Sequence, residues 1–415
     1  LQIPKNAKNI LSKKSGYLVY TRGCHIPDLN PFDRHVKRFY HKESPINCSQ
    51  NKPPNLVGSN LTALFIIRSA LGFYNVSDVE KLQCCYQTFW RVNENKIKYS
   101  SDCQTFVKEL HISEEFVKVK CSYEGLNIFT YYYAFTPLKK KVEERCQKKN
   151  IIPKEAVSLL VLGIDSVSRL NLYRQMPRTV ALLKEIKATE ISSVTHDYMN
   201  HAQQADQLCE DFIRSESNSY HFNKTVLVFL SDHGVRWGGI RQTFQGHLEE
   251  RLPFLFFYFP KWFREKYSSA LNNMRRNSRL LTTPFDLHET FKDLSNLRLI
   301  ENDLIKKRSN ELKTLATFPR GTSLFLPLDE GRTCSKAGID PHWCTCLESH
   351  ALATKSLKAQ ISAKVVIVHL NKLLKPYHAC SSLRLSKILD ASIKVPLLSQ
   401  HKSHTIEDCV VVCHN

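Results

Sequence analysis

Three short apolar runs constrain this chain more than any other feature. In residues 157–165, VSLLVLGID, apolar side chains follow one another almost without interruption, and the run stops on Gly163 and Asp165. Residues 225–232 (TVLVFLSD) and 253–260 (PFLFFYFP) read the same way. Runs this short without period-two alternation are strands covered on both faces, and the FLFFYF segment is core and not a lipid surface. Between and after them the spacing predicts helices. One covers MPRTVALLKEIK, with Pro177 in its first turn and Val180, Leu182, Leu183 and Ile186 on one face. Another covers HAQQADQLCEDFIRS, and TTPFDLHETFKDL reads as a turn into a helix capped by Thr282 or Thr283, with Pro284 at its start and His288 within it. Strands alternating with helices specify an α/β fold.

The cysteines divide the chain. Of fourteen, seven precede residue 150, six follow residue 330, and Cys209 stands alone between. A zinc ribbon needs C-x-x-C pairs and there are none; Cys344 and Cys346 are too close for that spacing. Four N-glycosylation sequons, at Asn47, Asn60, Asn75 and Asn223, accompany them. Disulfides formed in an oxidising, extracellular or secretory compartment are the expected use. Three regions follow: a Cys-rich, glycosylated, β-containing region at 1–150, an α/β core at 151–315, and a Cys-containing region at 316–415 that packs on the core. The first ends in KKKVEERCQKKN, a linker or exposed helix, and the last carries a strand at AKVVIVHL.

The formal net charge is +20, but Lys and Arg are scattered and no nucleic-acid module accompanies them. No nucleic-acid partner is expected. The excess reads as a solvated surface, with attraction of acidic glycans or phosphorylated ligands as the alternative. No apolar run approaches the ~20 residues needed to span a bilayer. A signal peptide or membrane anchor would lie upstream of Leu1.

Chemistry gathers at the strand ends. Asp165 ends one run, Asp232 and His233 end another, and His196 follows a β-type run in SSVTHDYMN. A dense polar set comes next: Arg241, Gln245, His247, Glu249, Glu250 and Arg251. Each aspartate can cap its loop, and each arginine can pair with Glu249 or Glu250. The other reading is a divalent metal site, since open α/β sheets bind ligands at the carboxyl ends of their strands, and zinc accepts carboxylate oxygens with imidazole nitrogens.

The blocks GIDSVSRLN…MPRT, SSVTHD, VLVFLSDHGVRWGGIRQTFQGHLEERLPF and LTTPFDLHETFKDL resemble, in order, a metazoan branch of the alkaline phosphatase/sulfatase superfamily, the domain of unknown function 229 family. GCHIPDLNPFD, CCYQTFWR and RGTSLFLPLDEGRTCSKAGIDPHWCTC share the likeness. The resemblance implies an alkaline phosphatase-like three-layer α/β/α core, here shortened. It implies that Asp165, Asp232 and His233 are metal ligands and that His196 lies near the transferring group, with His247 where relatives carry a further ligand. It also implies zinc, or calcium as in sulfatase-like members. The activity it implies is hydrolysis or transfer of phosphate or sulfate esters, on a small molecule or glycan, through a metal-activated Thr, Ser or modified Cys nucleophile.

One departure is serious. Only 31 positions separate Asp165 from His196, and a single βαβ unit needs about 30 residues. The segment that would carry the nucleophile, in a context such as DNTxPN, is missing. Ser166 and Thr179 lie nearby but read as structural hydroxyls. The expectation is a catalytically impaired member. The alternatives are a non-catalytic secreted or cell-surface binding protein, and a truncated isoform or faulty gene model of an active enzyme.

Overall fold

The computed structural model describes residues 16–40, 52–148, 155–191, 202–234, 236, 238–346, 348–388, 390–395 and 408–412. The chain forms two compact units, one of residues 45–153 and one of 1–44 with 154–415. In the second unit an N-terminal hairpin pairs β1 (Tyr17–Tyr20) with β2 (His25–Pro27), followed by the one-turn α1 (Arg34–Lys37). Leu18, Val19, Cys24 and Ile26 of this segment share a small core with Leu281, Cys334, Ala337, Cys344 and Cys346. Disulfides Cys24–Cys346 and Cys334–Cys344 run through it.

The 45–153 unit is β-rich. A small sheet joins β3 (Val57–Ser59), β4 (Ala63–Ile66) and β8 (Leu110–His111). The larger antiparallel sheet contains β5 (Leu82–Asn93), β6 (Lys96–Tyr99), β7 (Gln104–Phe106), β9 (Phe116–Tyr123) and β10 (Leu126–Ala134). Its order is β10-β9-β5-β6, with β7 also on β5. One face carries Leu82, Val117, Val119, Phe129 and Tyr133 into a core with Leu56 and Leu64. The Tyr133 hydroxyl donates to the Val57 carbonyl at 2.5 Å, and burial pushes this phenol far above its ordinary range. Cys84 on β5 pairs with Cys121 directly across on β9, and Cys85 with Cys103. The KKKVEERCQKKN segment supplies α2 (Lys140–Lys148), a helix with no buried residue. The disulfides expected from the cysteine clusters thus form among eight described cysteines, while Cys146, Cys209 and Cys380 are free.

The α/β part of the other unit is built on four strands: β11 (Ser158–Gly163), β12 (Thr189–Ile191), β13 (Thr225–Leu230) and β14 (Leu255–Tyr258), in the order β11-β13-β14-β12. One face packs on α3 (Arg169–Gln175), α4 (Pro177–Glu185) and α5 (Ala202–Ser217), through Leu172, Val180, Leu183 and Ile213 against Leu227, Phe229 and Phe256. On the other face Val226, Val228 and Phe257 meet residues of three helices that follow β14. These are α7 (Lys261–Lys266), α8 (Ser268–Asn277) and α9 (Pro284–Ser295). Helices on both faces make this an α/β fold in three layers.

Buried polar anchors fix the helices. Thr283 caps α9 in a capping box with Asp286, as Pro284 at the helix start foretold. Asp286 also accepts from both Arg332 guanidinium nitrogens, at 2.8 and 3.0 Å, and from Thr322 N–H at 2.8 Å. Asp206 on α5 accepts from the Thr179 N–H and hydroxyl, both at 2.8 Å, so this buried hydroxyl belongs to helix packing.

Two sequence expectations change. The strand β11 is not covered on both faces: it is the sheet's edge among the described residues, and Leu159 and Val161 are 40% and 47% exposed. Leu160 and Leu162 pack inward, but the opposite layer of helices covers β13 and β14 and stops short of β11. A Val161→Lys chain is therefore expected to unfold within about 0.5 kcal/mol of the parent in urea titration, as surface changes do. Lysine at Val228, its buried cross-strand neighbour, is expected to prevent folding.

The strand β14 runs antiparallel to β13. The connecting residues 231–254 stay at one sheet edge, where Ser231 N–H donates to the Phe254 carbonyl at 3.1 Å, so the next strand starts there and must run back. The second changed expectation is AKVVIVHL, which is not a strand but part of the helix Leu357–Leu374. Ser356 caps it, and the flanking Lys, Ala, Gln and Leu residues carry the β-branched run through eighteen helical positions.

Candidate metal centre

The parallel pair β11 and β13 explains how two distant aspartates meet. Their register sets Gly163 opposite Leu230. Asp165 and Asp232 therefore each lie two residues beyond a paired strand end, on chains that are ~4.8 Å apart. Ligand atoms of Asp165, Asp232 and His233 all lie within 4.8 Å of one another.

Backbone groups orient these side chains. Asp232 Oδ1 accepts from the N–H groups of Ser166, at 3.0 Å, and His233, at 2.8 Å. That leaves Oδ2 beside His233 Nε2, at 3.3 Å. Ser166 reaches Asp232 by adopting a left-handed backbone with φ of +70°, which few residues other than Gly, Asn and Asp take up. Its hydroxyl donates to Asp165 Oδ1. Ser231, buried beneath, receives the Val167 N–H at 3.0 Å and donates to the His233 carbonyl at 3.2 Å. The two loops are thus laced together by their own hydrogen bonds. Sequence reading missed Ser231 as a positioning residue, although its place directly before Asp232 was a signal.

The electrostatics suit a cation. Two exposed carboxylates this close repel each other, and a divalent ion would offset both charges. Burial, followed by nearby Arg236, holds the His233 imidazolium below its ordinary range, against a smaller opposing pull from Asp165. The ring is then neutral near pH 7, the state in which imidazole binds metal. The O, O, N donor set fits zinc or a similar divalent ion. A second close group, Cys334, Cys344 and Cys346, offers no thiolate because all three are in disulfides.

The remaining candidates lie elsewhere. His196 and Asn47 fall outside the described residues. His247, on α6 (Phe244–Glu249), is not in the cluster, and its Nδ1 faces the Arg251 guanidinium at 3.2 Å. Arg241 and Arg251 pair with Glu250, as the ion-pair reading held, with contacts near 2.9 Å. Glu249 turns to another partner: it accepts from Arg174, from the Ser168 hydroxyl at 2.6 Å and from Gln245 at 3.0 Å, all in the interior. His288 is on the exposed side of α9 beside Glu289. Asn60, Asn75 and Asn223 are all exposed.

Comparison with curated proteins and with solved structures gave no match. A family model described as "Protein of unknown function (DUF229)" matches residues 41–193 and 191–389, which together span most of the chain. The cluster and the strands that carry its first two residues fall within the matched segments, and the chain belongs to the DUF229 family.

Proposed function

We propose that this chain keeps the metal-holding half of a phosphate- or sulfate-ester site of the alkaline phosphatase/sulfatase-like superfamily and has lost the segment bearing the attacking hydroxyl. The convergence of Asp165, Asp232 and His233 at the carboxyl ends of adjacent parallel strands carries this reading. These three would hold zinc, or calcium; when bound, the ion would supply a Lewis acid for an ester oxygen. The chain's own contribution is to keep Asp232 aimed through two N–H donors, His233 neutral, and Asp165 fixed by Ser166.

Two observations support the lost segment. The family match comes in two pieces that meet at residues 191–193, between Asp165 and His196. The edge strand β11 also leaves Leu159 and Val161 in water, a surface that a further β/α unit would cover. The nearby hydroxyls are engaged, Thr179 with Asp206 and Ser166 with Asp165. The disulfides and exposed sequon asparagines support a secreted, lumenal or membrane-anchored setting. A sulfated or phosphorylated small molecule or glycan is the ligand class.

The test is metal content by atomic emission, together with turnover of p-nitrophenyl phosphate and p-nitrophenyl sulfate, on chain made in an oxidising host. The expected result is one divalent ion per chain and no turnover above the blank. Chain that retains no zinc or calcium would refute the metal centre, and turnover abolished by Asp232→Ala would refute the loss of catalysis. Sequencing the transcript across the codons for Glu190 to Ser193 separates a true isoform from a faulty gene model.

A further inference from the structure

The larger sheet of the 45–153 unit has a second face that its core does not use. Register and alternation put Phe89 opposite Tyr99, and Lys118 between Gln87 and Tyr132. Phe116 and Lys120 share that side of β9, while Val117, Val119 and Cys121 point to the core. The Phe89 ring lies 5.7 Å from Tyr99, 5.8 Å from Phe116 and 5.6 Å from Tyr132, centroid to centroid. Lys118 Nζ lies 5.3 Å from the Tyr99 ring and 5.7 Å from the Tyr132 ring.

Aromatic side chains in such numbers normally seek the interior, yet Phe116 is 46% and Tyr132 50% exposed. Within the strands themselves the charge has one sign. The five strands contain no Asp or Glu, and on the side of these rings they carry Lys118 and Lys120, while Lys98 lies on the other side with Trp90. The platform crosses four strands, about 14 Å at ~4.8 Å per strand. That is room for a short oligomer lying across the sheet.

We propose that this face binds a sulfated glycan, with the rings of Phe89, Tyr99, Phe116 and Tyr132 taking the apolar faces of the sugars and Lys118 and Lys120 taking the sulfates. Exposed rings offer flat apolar area at low entropy cost, and ammonium groups pair with anionic oxygens. A nucleic acid would also stack on such rings. The disulfides Cys84–Cys121 and Cys85–Cys103, which tie strands of this sheet, favour the glycan, because they mark a module built for an oxidising compartment. This site needs neither the metal centre nor hydrolysis.

The test is binding of the whole, disulfide-intact chain to a heparin octasaccharide by calorimetry over a range of salt, in EDTA so that the metal centre plays no part. Lys118→Ala/Lys120→Ala is expected to weaken binding at least about tenfold and to release roughly two fewer counterions. Phe116→Ala/Tyr132→Ala is expected to weaken it about tenfold with the salt slope unchanged. Tyr132→Phe, which keeps the ring, should bind like the parent. Lys140→Ala/Lys141→Ala, on the exposed helix α2, is the control for general charge. If that control loses as much as the Lys118/Lys120 variant, or if the aromatic variant binds like the parent, the platform is not a glycan site. Tighter binding of single-stranded RNA through the same residues would also overturn the proposal. Should the aromatic variant unfold, Lys120→Ala alone decides between a local and a diffuse contribution, because Lys120 is exposed.

Discussion

Glu249→Ala is expected to lower unfolding stability by about 3–5 kcal/mol, read as a shift in urea midpoint at constant slope. The side chains of Glu249 and Arg174 are 1% and 2% exposed. Removing the carboxylate leaves a buried guanidinium whose remaining acceptors are the Pro31 carbonyl, at 2.8 Å, and Asn171, at 3.4 Å. It also strips partners from the Ser168 hydroxyl and from Gln245. A surface pair gives the contrast: Arg214–Glu185, with both side chains more than 40% exposed, is expected to change stability by less than about 1 kcal/mol on Glu185→Ala. Ser168 follows directly on the loop that orients Asp165 and Asp232, so the same change should also weaken metal binding. Equal losses for the two glutamates would show that the interior network is not the anchor its burial implies.

Zinc or calcium in hundredfold excess over its dissociation constant is expected to raise stability by about 2.7 kcal/mol, and Asp232→Ala is expected to abolish that increment. The variant loses one ligand and also the acceptor for the N–H groups of Ser166 and His233. The ordering of both loops is then lost with the charge. Asp232→Asn separates the two effects, because its amide oxygen can still receive those N–H groups while the negative charge is gone. Thermal unfolding with and without the ion, repeated in EDTA, reads all three proteins. A metal-dependent increment that survives in Asp232→Ala would place the ion elsewhere.

The strands and their polar ends were legible because a continuous apolar run that stops on Asp has few solutions in water. The helix start at Thr283–Pro284 was legible because capping chemistry is local. Burial of β11 was not. An apolar run states what a strand would prefer, and whether a neighbouring layer extends far enough to cover it is a matter of the whole sheet. The helical fate of AKVVIVHL was hidden for a similar reason: β-branched residues favour strands only weakly, and eighteen residues with a Ser cap outweigh four. The partner of Glu249 was unreadable because Arg174 lies 75 positions away.

By itself the sequence determined the chemistry: two aspartates and a histidine at strand ends, cysteines suited to disulfides, and three strands' worth of apolar residues. The tertiary structure decided proximity. Parallel pairing in a register that aligns Gly163 with Leu230 turns 67 positions of separation into ligand atoms within 4.8 Å. The physical reason is that side-chain chemistry is carried by each residue, whereas distance between residues is set by hydrogen-bond register and layer packing, which belong to the folded chain.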